Sequence, residues 1–439
     1  MASSQTRNCD MSFVNVYCWQ QTYRSEVAEA QGWLFVRFCY DDGRTAYMQP
    51  VGEGGVEEAL QLIFADAAER GEEPIIVGLD SHWREYMEQH YAERFAIHAP
   101  RSLSDYIYLA SDLATLPGRK LQPKRNHINR FIEQHTYHLE PLSQENIGAC
   151  EVIYGRWLNN HCRTCRREMA ESRAMMRAFR ALDSLPIEGW VLYADSEAVA
   201  YTYGSAINHD TFCIHIEKAD PTIEGAATMI NRLAAEQIAQ RYRYINREED
   251  MGLAGLRFAK SSYRPTMLLE KATARALTPR ERSMRELWCR AFGDERATFD
   301  AFLIEAEDIT HSFTTTNDAS EVVAMLHVVE LRAVEMRVAY IYGVATAEEH
   351  RGEGLASALI TKALEWIDQS GRFDICALIP VDERAERLYT RFGFGAKSQS
   401  VRFATDYDFG TGCAEADIAM LRGGGHTATT EELVLTRPQ

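Results

Sequence analysis

An apolar run rich in β-formers, MRVAYIYGVAT (residues 336–346), leads through a short acidic link into RGEGLASALI (351–360). This order, strand to glycine turn to helix, constrains the fold more than any other feature of the chain. A helix start leaves several backbone amides without partners and carries the positive end of the helix dipole. Gly352 and Gly354 let the chain turn sharply there. Arg351 adds a charge-assisted donor at the same point, so the turn is built to receive an anion. Leu355, Leu359, Ala363 and Ile367 recur at helical spacing and give the helix an apolar face that anchors it to a sheet.

The turn has neither the G-x-G-x-x-G spacing of a dinucleotide site nor a Gly-Lys-Ser/Thr of a nucleotide P-loop. It fits R-x-x-G-x-A, and downstream DERAERLYTRFGF (382–394) places an Asp at a helix start, a Tyr within the helix and Gly-Phe at its close. The two motifs, in this order, resemble those of the GNAT acyltransferase superfamily over roughly residues 278–437. The resemblance implies a co-substrate, acetyl-CoA or another acyl-CoA, with no metal. It implies that the amides of Arg351, Gly352, Glu353, Gly354, Leu355 and Ala356 hold the pyrophosphate. Val344, Ala345 and Thr346 then offer free backbone groups to the pantetheine arm, and Asp382 belongs to the same cofactor-binding set. Tyr389 is the implied catalytic acid, since a phenol of pKa about 10 can donate to a thiolate of pKa about 8.5. The same tyrosine also reads as a core aromatic, because Ala385, Leu388, Tyr389 and Phe392 share one helix face. The acceptor is an amine, on a small molecule or a peptide. Its general base is unassigned: the strand VAYIYGVAT holds no carboxylate, and neither Glu330 nor Glu335 matches the usual position.

The first two-thirds read as alternating strands and helices. GWLFVRFCY and EPIIVGL are apolar, β-rich runs, whereas VEEALQLIFADAAER is an amphipathic helix. GWVLYAD, AVAYTYGSAI and TFCIHIEKA are three further strands, followed by a helix in EGAATMINRLAAEQIAQRY. Residues 11–274 resemble a bacterial family related to the C-terminal domain of phosphatidylglycerol lysyltransferase. The matching stretches are SFVNVYCWQQTY, DLATLPGRKLQPKRNHINRF, HIEKADPTIEGAATMIN and YINREEDMGLAGLRFAKSSYRPTMLLEK. That family's fold resembles two GNAT-type units in tandem. The implied architecture is α/β with mixed sheets: one unit over residues 1–135, a second over 136–276, and a third, the N-acyltransferase domain, over 277–439. FCIHIEKADPTIEGAATMINRLA repeats the strand–glycine–helix order of the last unit but lacks an arginine equivalent to Arg351. A weakened phosphate site or a different acyl donor follows. Aminoacyl-tRNA is the donor that the resemblance implies, and a non-catalytic scaffold is the remaining reading.

Glu217, Lys218, Asn246, Arg247, Glu248, Asp250, Lys260 and Tyr263 are candidate functional groups in this half, with an ion-paired turn as the competing reading. The basic stretch GRKLQPKRNHINR (118–130) suits a phosphate or an RNA end, or equally a solvated helix. The formal net charge of −17 disfavours a whole-surface nucleic-acid binder, which leaves tRNA only a local groove. HCRTC (161–165) has no second pair of ligands at zinc spacing and is expected to hold helical thiols. RGGGHTATT (422–430) is expected to be a hairpin tip. No apolar stretch approaches the roughly 20 residues a membrane helix needs. The opening MASSQTRNCDMSF has no basic cap before an apolar run, so the expected location is the cytoplasm.

Overall fold

The computed structural model describes residues 6–159, 166–398, 401–407, 409, 419–423 and 433–438. HCRTC and most of RGGGHTATT lie outside the described residues. The fold is α/β with mixed sheets, as the sequence implies, and its contacts divide the chain into two compact units. One comprises residues 1–85 and 101–272, the other residues 86–100 and 273–439.

The first unit begins with helix α1 (Phe13–Tyr23) and strands β1 (Glu26–Ala30), β2 (Trp33–Cys39), β3 (Thr45–Met48), β4 (Val51–Gly52) and β5 (Ile75–Leu79). These run side by side as β1-β2-β3-β5, with β4 also on β2. Helix α2 (Val56–Arg70) buries Val56, Ala59, Leu60, Ile63, Phe64 and Ala67 on one stripe. It ends at Gly71, whose φ of 69° lets its amide return to the Ala67 carbonyl. Helix α3 (Ser81–Tyr91) and strand β6 (Phe95–His98) follow, the strand belonging to the second unit.

The chain then builds a seven-stranded sheet from β7 (Asp105–Leu109), β8 (Tyr137–Pro141), β9 (Glu188–Ala194), β10 (Glu197–Ala206), β11 (Thr211–Ala219), β12 (Tyr244–Asn246) and β13 (Met267–Leu269). The order is β13-β7-β12-β11-β10-β9-β8, so β7 lies in the middle of strands that come much later in sequence. Helices α4 (Ala110–Thr115), α5 (Gln122–Gln134) and α8 (Ala226–Ile238) share one core with this sheet. Helices α6 (Ile147–Asn159) and α7 (Arg166–Arg180), with α1, contribute to a second core around Tyr201 and Tyr203. Helix α9 (Ala254–Ser261) precedes β13.

In the second unit β14 (Ala272–Ala276) pairs with β6. Helix α10 (Pro279–Phe292) starts with a capping box between Thr278 and Glu281, a device worth about 1 kcal/mol. Helix α11 (Arg296–Glu305) and strands β15 (Thr310–Thr316), β16 (Val322–Ala333) and β17 (Met336–Thr346) come next. They are followed by α12 (Leu355–Ser370), β18 (Ile375–Leu378), α13 (Glu383–Thr390) and β19 (Ala396–Ser398). The last strands are β20 (Val401–Ala404), β21 (Ala419–Gly423) and β22 (Leu433–Thr436). The sheet order is β19-β21-β18-β17-β16-β22-β20, with β15 also on β16. Residues of α10 and α11 share one core with the sheet, and residues of α12 and α13 share another.

His327 on β16 is 1% exposed, hydrogen-bonded through Nδ1 to the Ser312 hydroxyl at 2.8 Å and packed against Trp288 and Phe302. Burial, with Arg280 as a lesser cause, pulls its pKa down to about 3. The unfolded chain binds this proton near pH 6.5, and the folded chain does not until about 3. Stability is therefore complete above pH 6.5 and falls as the pH drops through that window, by up to ~1.4 kcal/mol per pH unit. Urea denaturation of the protein and of His327→Gln across pH 4–7 should show a shallower acid loss in the variant.

Candidate acyl-donor cleft and its counterpart in the first unit

On one side β17 pairs with β16 as far as Ala324 opposite Thr346. On the other, its parallel partner β18 stays in register only at Val338–Ile375, Ala339–Cys376 and Tyr340–Ala377. Beyond Tyr340 the two strands part, and the β18-side edge of residues 341–346 is left without ladder partners. Val344, Ala345 and Thr346 lie on this open edge. The register with β16 shifts between Met325 and His327, opposite Gly343. Gly343 has a φ of 60°, and a Cβ there would sit 2.5 Å from the Trp288 ring, so only glycine fits.

Past β17 a single 3₁₀ turn (Glu348–His350) delivers Arg351, exposed, to the foot of α12. Gly352 and Gly354 have φ values of 90° and 81° with open space around them, so backbone conformation dictates glycine at both. Gly354 caps α12 without any side-chain bond to the first-turn amides, and Leu355 and Ala356 open the helix half-buried. Glu353 is tied to His350 Nδ1 at 3.1 Å within the turn. The arrangement is a free helix start beside an open strand edge, with one arginine in front of it. Asp382 caps α13, accepting the Ala385 amide at 2.7 Å. Tyr389, on that helix, is 7% exposed among Leu359, Ile360 and Phe394, and burial pushes its pKa up to about 12. Glu330 is paired with Arg372 at 2.7 Å.

The first unit repeats the parting of strands and then closes it. β11 pairs with β10 to its end, at Ala200–Ala219. Its parallel partner β12 follows it only from Thr211–Tyr244 to Cys213–Asn246. Across the gap, His215 Nδ1 meets Glu248 Oε1 at 3.0 Å, and Glu217 Oε1 meets Arg247 at 2.8 Å. At the following glycine turn, Gly225 begins α8 with a φ of 86°. A Cβ on Gly225 would stand 2.5 Å from the His127 carbonyl and 3.0 Å from Phe131, so α5 covers the place where the equivalent turn near Arg351 is open.

The basic stretch on α5 is largely engaged. Lys124 Nζ stands 4.1 Å above the Tyr263 ring, Arg125 donates to the Leu116 and Gly118 carbonyls, and Arg130 pairs with Glu224. The ion-paired turn is also present. Asp250 accepts from Arg257, Arg101 and Tyr106, while the Lys260 ammonium donates to the Arg247 and Glu249 carbonyls. Lys218 pairs with Glu171 at 2.8 Å, and Asn246 donates to Asp105 at 2.7 Å.

Sequence reasoning missed a buried charge centre. Lys271 Nζ lies 2.9 Å from Asp105, 3.0 Å from Asp10, 3.4 Å from Glu249 and 3.5 Å from Cys9 Sγ. Burial raises Asp10 to about 6 even with the ammonium beside it. Two groups of ligand atoms, Cys213–His215–Glu248 and Cys9–Asp105–Glu249, each lie within 4.8 Å of one another. In the second, Lys271 already supplies the cation.

Residues 1–275, well over half of the chain, match the family described as phosphatidylglycerol lysyltransferase, C-terminal. The chain belongs to that family. Residues 281–394 match the acetyltransferase (GNAT) family, so the lysyltransferase-like part is followed by a GNAT acyltransferase domain. A solved structure from Bacteroides thetaiotaomicron VPI-5482, a conserved protein of unknown function, is 40% identical with a TM-score of 0.60. It covers 62% of this chain and 93% of its own. The C-terminal domain of a putative lysylphosphatidylglycerol synthetase from Agrobacterium fabrum is 12% identical with a TM-score of 0.44, covering 59% of this chain and 85% of its own. An uncharacterized protein of Mycoplasmoides gallisepticum, MYCGA3080, is 25% identical over 176 residues, 39% of this chain. The match spans only 55% of that curated relative. No helix among the described residues is long and apolar enough to cross a membrane.

The Glu217–Arg247 bridge gives a direct test of the closed gap. Replacing Glu217 by Leu strands a guanidinium that lies between the Tyr108 and Tyr263 rings. A loss of about 3 kcal/mol in urea unfolding is expected.

Proposed function

We propose that the lysyltransferase-like family member described here is an acyl-CoA-dependent N-acyltransferase, with acetyl-CoA the expected donor and the reaction centred on the second unit. The observation that carries this is the open β17 edge leading directly into a helix start with no side-chain cap. A pantetheine arm adds to residues 344–346 as an extra strand, and the pyrophosphate meets the amides of residues 351–356 with Arg351 in front. Asp382 serves the site by fixing α13. Tyr389 faces the departing sulfur as a hydrogen-bond donor. With its pKa near 12, full transfer of its proton to a thiolate is uphill, so its contribution is electrostatic more than acidic. The acceptor is an amine of a small molecule or peptide, in a cytoplasmic, bacterial setting. In this reading residues 1–135 and 136–276 are a tandem GNAT-type pair, with β7 from the first completing the sheet of the second, and residues 277–439 form the third unit.

A second reading, aminoacyl transfer from charged tRNA by the first unit, is favoured by one observation. Arg247 Nη1 and Asn231 Oδ1 are buried at the strand gap without hydrogen-bond partners. They are vacant groups for an ester or ribose, while α5 over Gly225 removes the anion seat that CoA uses.

Calorimetric titration of acetyl-CoA into the full chain should find a site that Arg351→Glu weakens roughly 100-fold, because charge-assisted contacts to phosphate are lost and replaced by repulsion. Unchanged binding in that variant, or no binding to either protein, refutes the assignment. Once an acceptor is in hand, Tyr389→Phe should lower kcat about 10-fold or more while leaving KM nearly unchanged. Equal loss in both would make the tyrosine a packing residue.

A further inference from the structure

Three local departures from regular structure meet at one point of the first unit. The β10–β11 register jumps from Tyr203–Ile216 to Gly204–Ile214, which leaves His215 as a bulge without a cross-strand partner. Gly204 makes this possible, since a Cβ there would fall 1.9 Å from the Cys213 carbonyl oxygen. Glu248, just past β12, holds a φ of 58° although it is not glycine. β10 also carries Ser205, 1% exposed, beside His215. The distances are short: Ser205 Oγ to His215 Nε2 is 2.8 Å, and His215 Nδ1 to Glu248 Oε1 is 3.0 Å. Asn15 Nδ2 donates to the same carboxylate oxygen at 2.8 Å, fixing it from a second side.

We propose that Ser205, His215 and Glu248 form a nucleophilic triad, and that the first unit holds a second acyl-transfer centre working through an acyl-serine. A hydroxyl, an imidazole and an orienting carboxylate in this order are what activation of a weak nucleophile needs. The site also stands where the parallel strands β11 and β12 part, the position that holds the acyl donor in the second unit's reading. A small cavity of about 10 Å³ lies against His215, lined also by Asn15, Trp19 and Tyr203. Helix α1 starts at Ser12, whose hydroxyl is 3.2 Å from Ser205 Oγ, so the helix's positive end lies beside the point where an oxyanion would form.

The donor class is an activated carboxylic ester. Ser205 Oγ attacks the carbonyl carbon as His215 Nε2 takes its proton. The ester's leaving oxygen or sulfur departs with that proton, leaving the acyl group on Ser205. An amine then attacks the acyl-serine, His215 takes the amine proton, and the carbon–Oγ bond breaks as Oγ recovers a proton from His215. Glu248 holds the imidazole tautomer throughout.

The test uses p-nitrophenyl acetate with the full chain at about pH 8, read by nitrophenolate burst, intact mass and peptide mapping. The expected result is a stoichiometric burst and acetylation of Ser205, absent in Ser205→Ala and slowed about 100-fold or more in His215→Gln. Ser205→Cys should restore an adduct that neutral hydroxylamine removes, which shows an aligned site even if Ser205→Ala folds poorly. An adduct elsewhere, no adduct, or one formed equally fast in His215→Gln overturns the proposal. Stoichiometric zinc in the purified protein that is lost in Cys213→Ser also overturns it, because Cys213, His215 and Glu248 would then be metal ligands.

Discussion

The parting of two parallel strands is the constraint that shapes both units of this molecule. A parallel pair is normally sealed by its ladder, yet β17 keeps β18 for three residues and β11 keeps β12 for three. Each strand continues on its antiparallel neighbour, so the sheet stays intact while one edge opens inside it. A buried edge carries unpaired amides and carbonyls, which is costly unless something satisfies them. The second unit leaves the β18-side edge of residues 341–346 open. The first unit fills the gap with its own side chains, His215 with Glu248 and Glu217 with Arg247. One backbone plan thus gives an open cleft in one place and a polar, preorganised interior in the other.

The difference extends to the turn that follows. Gly354 and Gly225 both begin a helix in the left-handed region, and both lack a side-chain cap. Around Gly354 there is open space, whereas the α5 backbone rests on Gly225. The helix start at Gly225 is therefore covered where the one at Gly354 is open.

Much of the second unit was legible because its turns and helices are set by local sequence. The turn at residues 351–356 and the helix at Glu383–Thr390 are each set by neighbours a few residues apart. The periodicity of Val56–Arg70 likewise revealed its buried stripe. The first unit's interior was legible only in part, in the ion-paired turn around Asp250 and Lys260, because the rest depends on distant residues. Ser205 and His215 are polar residues among others in largely apolar strands, and nothing marks them out until a bulge brings them together. Lys271 finds Cys9 across a separation of 262 residues, and no spacing rule reaches that far. The basic stretch at 118–130 read either as an RNA or phosphate site or as a solvated helix, and contacts commit Lys124, Arg125 and Arg130 to a ring, carbonyls and Glu224.

The position of Lys271 has a consequence for synthesis. Its carboxylate partners at 10 and 105 leave the ribosome long before it does, and the one at 249 leaves shortly before. Until the ammonium arrives, burying those acids sets like charges against one another in a medium of low dielectric. The first unit therefore does not close its centre until the chain has passed residue 271. A nascent chain stalled before that point should stay open and available to chaperones, and one stalled well beyond it should resist proteolysis.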